Sequence, residues 1–135
     1  MPAKPDSHTS GSVAAGISND VVKLLYEYTG RGPTKARTEI HSNSVVVLLA
    51  DTLTKGERVL VENGQSQLVL QTRREFQRAM RTDLVAAVER RMDTSVIAFM
   101  SENHIDPDMA VEVFILAPPG DHTARDGADS MPSAV

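Results

Sequence analysis

The chain has 135 residues, 41% of them hydrophobic, with 14 basic and 18 acidic side chains, a formal charge of -4 and no cysteine. This is enough apolar material for one core and not two; it excludes a disulfide framework or a thiolate metal site, and the acidic balance argues against a coat for nucleic acid. The longest apolar run, Val45 to Ala50, is far below the roughly 20 residues that cross a bilayer, and Met1 to Asn19 lacks a signal-type apolar core, so a cytoplasmic chain without direct membrane insertion is expected.

Residues 1–17 are polar and read as a disordered leader, because they offer too little apolar surface to offset the entropy of ordering. The tail, 118–135, opens on Pro118-Pro119-Gly120 and continues in Gly, Asp and Ser, so it reads the same way. A single domain is expected over 18–117.

Ser18, Asn19 and Asp20 offer capping oxygens for a first helix. Val21, Leu24, Leu25 and Tyr28 then recur at helical spacing, and Gly30 ends the element. Pro33 blocks continuation, so the chain turns at Gly30-Arg31-Gly32-Pro33. Thr38 to His41 makes a short polar strand, Ser42-Asn43 a tight turn, and Ser44 to Ala50 a strand apolar enough to be buried on both faces. Thr54 to Glu57 has the spacing of a capping box for a short second helix, weakened by Gly56 and closed by Asn63-Gly64.

Gln65 to Met92 is one long helix. Its stripe of Val69, Phe76, Met80, Leu84 and Val88 is widened by Leu68, Leu70, Val85 and Ala87. Such a helix spans about 40 Å, longer than a small sheet needs, so packing on a second protomer, a homodimer, is expected. Two strands close the domain, Ser95 to Ser101 and Val111 to Leu116, around a polar turn. In the last strand Val111, Val113 and Ile115 share one face, and Glu112, Phe114 and Leu116 the other. The order α-β-β-α-α-β-β predicts an α+β fold: an antiparallel sheet of two hairpins covered on one face by helices.

The candidate binding residues fall in two groups. At the turn, Gly30 and Gly32 let the backbone approach a ligand, and Arg31 with Lys35 and Arg37 has the chemistry to hold a small anion or nucleotide; plain turn chemistry also explains both glycines. On the long helix Arg74, Arg78 and Arg81 lie at i, i+4 and i+7 beside Arg73. They form either a site for an acidic partner or a solvated face offset by Glu75, Asp83 and Glu89. His104, Asp106 and Asp108 share one turn, but lack the further ligands that a metal site needs, and hairpin chemistry accounts for them. No nucleophile elbow, HExxH or kinase signature occurs. A non-enzyme is therefore expected, with no catalytic residue, metal or cofactor; a hydrolase around Asp106 and Asp108 is the weaker alternative.

With these residues in view, the chain resembles the MpsC-like family of bacteria and archaea. The resemblance is carried by Gly30-Arg31-Gly32-Pro33 after the opening helix, Ile40, the strand Val45 to Leu49, Leu53-Thr54 with Glu57 and Leu60, and Gly64 before the arginine-rich helix. Val96, His104-Ile105-Asp106 and Glu112-Val113-Phe114 complete it. It implies a cytoplasmic accessory to a membrane ion or inorganic-carbon transport system, working through a membrane-transport protein partner and without established catalytic residues.

Overall fold

The computed structural model describes residues 3–32 and 35–118, with side chains from residue 11 onward. Three helices and four strands follow in the order α1 (Ala3–Thr29), β1 (Lys35–Ile40), β2 (Ser44–Ala50), α2 (Lys55–Glu62), α3 (Ser66–Met92), β3 (Val96–His104) and β4 (Met109–Leu116). The sheet is antiparallel throughout in the order β1-β2-β4-β3, so the two hairpins join through the central pair β2 and β4. This is the α+β architecture expected from the element order.

One boundary is corrected. α1 starts at Ala3 and not near Ser18, so most of the segment read as a disordered leader is helix. The cause lies in spacing: Val13 and Ile17 continue the stripe of Val21, Leu24, Leu25 and Tyr28 backwards in steps of four, and Ile17 is fully buried. Gly and Ser between those positions dilute the apolar signal. The tail beyond Pro118 lies outside the described residues.

The helix ends follow from local chemistry. Gly30 stops α1 with a φ of +81°, a left-handed conformation in which a side chain is strained. At α2 the capping box is complete: Thr54 Oγ1 accepts from the Glu57 N–H at 3.1 Å and Glu57 Oε1 accepts from the Thr54 N–H at 2.8 Å. Gly64, with a φ of +77°, follows its C-cap.

α1 and α3 run antiparallel on one face of the sheet, since Tyr28 donates to Asp83 at 2.8 Å while Arg91 donates to Asp20 at 2.9 Å, eight residues back along α1 and eight residues on along α3. Gly16 leaves room for this crossing, because a Cβ there would meet the Arg91 guanidinium at 2.5 Å. α1 and α3 have 27 residues each. Beneath them lie Val45, Val47 and Leu49 from β2 and Ala110, Phe114 and Leu116 from β4, against Ile17, Val21, Met80, Leu84 and Val88. Phe99 tilts against Phe114 with ring centroids 4.9 Å apart.

Burial in β2 alternates strictly, Val45, Val47 and Leu49 buried and Val46, Leu48 and Ala50 partly exposed. The expectation of a strand buried on both faces is thereby corrected: helices cover one face, and no described element covers the other. Along α3, Val69, Met80, Leu84, Ala87 and Val88 are buried as the stripe predicts, whereas Leu68 and Phe76 stand exposed at 45% and 38%.

Candidate functional site

At the end of the sheet where β2 passes into α2, a polar network organises the connection. Asp51 adopts a φ of +59°, which a short polar side chain tolerates. Asp108, from the loop entering β4, accepts from the Thr52 N–H at 3.0 Å, the Thr52 hydroxyl at 2.9 Å and the Leu53 N–H at 2.9 Å. A carboxylate with three donors is held firmly, and here it ties the two hairpins together. Asp106 is exposed, and His104 Nδ1 instead lies 2.8 Å from the Pro107 carbonyl oxygen, so that turn disperses its polar groups.

Arg73 is the hub. From α3 it reaches Glu57 with two nitrogens at 3.0 and 2.7 Å, the Thr52 hydroxyl at 2.9 Å, the Thr52 carbonyl at 2.8 Å and Asn103 Oδ1 at 3.1 Å. This fork uses its donors on α2, the β2–α2 connection and β3 at once. Burial pushes the Glu57 carboxyl up, but the Arg73 hydrogen bonds and charge and the Thr54 donors outweigh it and leave the carboxyl below its ordinary value.

Beside this network is a cavity of about 220 Å³, bounded by the end of α1, by α2 and α3, and by the inner sheet face. Leu25, Leu49, Phe76, Met80 and Ala110 make its apolar wall. Arg31, Glu57, Arg73 and Glu112 are its charged lining. Glu112 sits on the buried face of β4 between Ala110 and Phe114, opposite Val47 and Ser101, and is 2% exposed. Its Oε1 makes no hydrogen bond of good geometry, and neither does the Ser101 hydroxyl. Burial raises the Glu112 carboxyl to about 7, against the opposing pull of the nearby Ser101 hydroxyl and the Arg73 charge.

The second feature is the uncovered sheet face. Strand register places Val46, Leu48 and Ala50 of β2 beside Val111, Val113 and Ile115 of β4, with Ala98 and Met100 of β3 next to them. Met100 is 52% exposed and Met109, on the same face, 40%. Lys35, Arg37 and Glu39 of β1 and Glu102 and His104 of β3 line up on this face along its two edges. The face is thus a contiguous apolar strip bordered by polar residues.

The residues singled out in the sequence are distributed, not gathered. Arg31 alone lines the cavity, and its guanidinium is bonded to the Asp51 carbonyl and, at 3.1 Å, to Asp51 Oδ2. Gly30 and Gly32 form the turn behind it, and Pro33 lies outside the described residues. Lys35 and Arg37 are exposed on the open face. Arg74, Arg78 and Arg81 are exposed on α3; Arg78 pairs with Glu75 at 3.1 Å, and Arg81 lies 5.5 Å from the Phe99 ring centroid. β1 packs under α1, so the first hairpin does not bring its basic residues to the α3 arginines. Glu112 and the hub role of Arg73 were not singled out, and Asp108, weighed in the sequence with His104 and Asp106, here binds the Thr52 and Leu53 donors. A carboxylate on the apolar side of an alternating strand was the available signal for Glu112.

The family described as the Na+-translocating membrane potential-generating system (MpsC) matches residues 9–118. That span includes every strand and helix α2 and α3 in full. The chain belongs to the MpsC family. The match begins within α1, ahead of Ser18, in agreement with a folded helix there. No curated protein and no solved structure matches the chain. Among the described residues no helix is long and apolar enough to cross a membrane.

Proposed function

We propose that this chain is a non-enzymatic, cytoplasmic accessory of a membrane ion or inorganic-carbon transport system, docking through its uncovered sheet face on a protein component of that system. The observation that carries the reading is the apolar strip Val46, Leu48, Val111, Val113, Ile115 and Met100, left open by a fold whose helices all lie elsewhere. The family description, a Na+-translocating membrane potential-generating system, supports a link to membrane ion translocation. The polar residues along the edges, Arg37, Glu39 and Glu102, carry both signs and suit a protein surface more than an anionic lipid surface. An anion sensor at Gly30–Pro33 has less support, because Arg31 already holds Asp51.

The test is co-sedimentation of the full chain with vesicles that carry the transport system, beside vesicles of the same lipids alone. Binding to the loaded vesicles only, lost when Leu48 and Val113 are both replaced by Lys while the melting temperature holds, is the expected result. Equal binding to bare lipid, or no binding at all, overturns the reading. Light scattering across a concentration range adds the remaining case: a dimer abolished by the same pair of substitutions would assign the face to a second copy instead.

A further inference from the structure

The cavity beside Arg73 has a charge left over, and that charge identifies its ligand chemistry. Arg31 is committed to Asp51, and Arg73 to Glu57, Thr52 and Asn103. Glu57 is in turn held by Arg73 and by the Thr54 N–H. Both arginines and Glu57 are therefore in ion pairs, and Glu112 is the charged lining group without one. Glu112 belongs to the cavity lining, and its buried Oε1 has no hydrogen bond of good geometry among the described residues. A buried acceptor with no partner is costly, the more so when it is charged, so an occupant that donates to the carboxylate gains what the fold itself does not supply.

We propose that this cavity binds a small organic cation, a protonated amine with a short apolar body, whose ammonium group donates to Glu112. Three features of the cavity argue for that class. An anion would meet arginines already satisfied and a carboxyl that repels it. A purely apolar occupant would leave Oε1 without a donor. A bare divalent ion requires several further oxygen ligands, and no cluster of three acidic or histidine side chains occurs among the described residues. The body of the ligand would lie against Leu25, Leu49, Phe76, Met80 and Ala110. About 220 Å³ is somewhat more than the roughly 150 Å³ that holds a benzene molecule, which sets the body at about four to seven carbons.

The site should also respond to pH. Around Glu112 stand Arg73 from α3, Glu57 from α2, Ser101 and Asn103 from β3 and Val47 from β2. Glu57, held below its ordinary range, stays anionic near neutrality. Glu112, raised to about 7, is then the group whose ionisation governs cation binding. Affinity should fall about tenfold from pH 8 to pH 6 as the carboxyl takes up its proton.

The experiment compares n-butylammonium, 1-butanol and butyrate at matched ionic strength, read by thermal shift and by amide chemical-shift changes in the full chain. Butylammonium alone should raise the melting temperature at pH 8, do so less at pH 6, and move the amides of Arg31, Arg73, Phe76 and Ala110 to Glu112. Glu112→Gln should lose the response. An equal shift with 1-butanol would make the cavity a purely apolar site, and a shift with butyrate alone would make it an anion site; either overturns the proposal. So would a butylammonium response retained by Glu112→Gln, or none from the native chain at tens of millimolar. Should Glu112→Gln fail to fold, the three-ligand comparison on the native chain decides by itself.

Discussion

Replacing Glu112 by Gln should change how stability depends on pH more than it changes stability itself at any one acid pH. A carboxyl raised in the folded state favours folding when protonated. Its contribution is fully present below the ordinary carboxyl range and declines as pH rises toward about 7, where the folded-state group ionises. With an ordinary value of 4.5 and a folded value of about 7, and about 1.4 kcal/mol for each pH unit between them, the native chain should lose on the order of 3 kcal/mol across that window. Gln cannot ionise, so this slope is absent in the variant. The amide adds the cost of burying an N–H₂ group, but that cost does not vary with pH. Urea unfolding of both proteins at pH 5, 6, 7 and 8 isolates the term, because all other titrations cancel in the difference. The variant should gain on the native chain steadily up to about pH 7 and level off beyond it, the midpoint difference changing by roughly 1 to 2 M urea. Glu57 does not interfere: its carboxyl is lowered, so its contribution is present above the ordinary range and fades only at more acid pH. A difference that stays constant from pH 5 to pH 8 would refute the reasoning, since Glu112 would then ionise as it does in the unfolded chain.

Two further outcomes test the frame around the cavity. Arg73→Ala should cost about 3–5 kcal/mol, because it leaves Glu57, 18% exposed at its side chain, without its ion-pair partner and the Thr52 carbonyl without the guanidinium donor; a loss below 1 kcal/mol in chemical denaturation would show that water replaces them freely. Ile17→Ala should cost about 2–5 kcal/mol, as expected for a fully buried aliphatic side chain. An unchanged unfolding midpoint would mean that α1 is not docked ahead of Ser18.

Several elements were legible because their signals are local. The α2 cap reads directly from Thr54 and Glu57 three residues apart, and Gly30 and Gly64 mark helix ends because few other residues adopt a positive φ there. The long helix reads from its stripe, and the strands from β-branched residues in runs. The start of α1 was missed because Val13 and Ile17 are separated by small and polar residues, so the evidence for helix there comes from what they pack against rather than from composition.

Element order, the α2 cap, the glycines that end helices and the two faces of β4 were thus determined by the sequence alone, since each depends on residues within a few positions of one another. Only the tertiary structure decided the rest. Pairing β2 with β4 sets Glu112 against Val47 and places the two hairpins under α1 and α3. Folding α3 back brings Arg73 to Glu57, Thr52 and Asn103, which are 16, 21 and 30 residues away in the chain. The same closure gives Arg31 a partner in Asp51 and leaves Glu112 without one. Which charges end up paired depends on distances across the fold, and no pattern of neighbours along the chain encodes those distances.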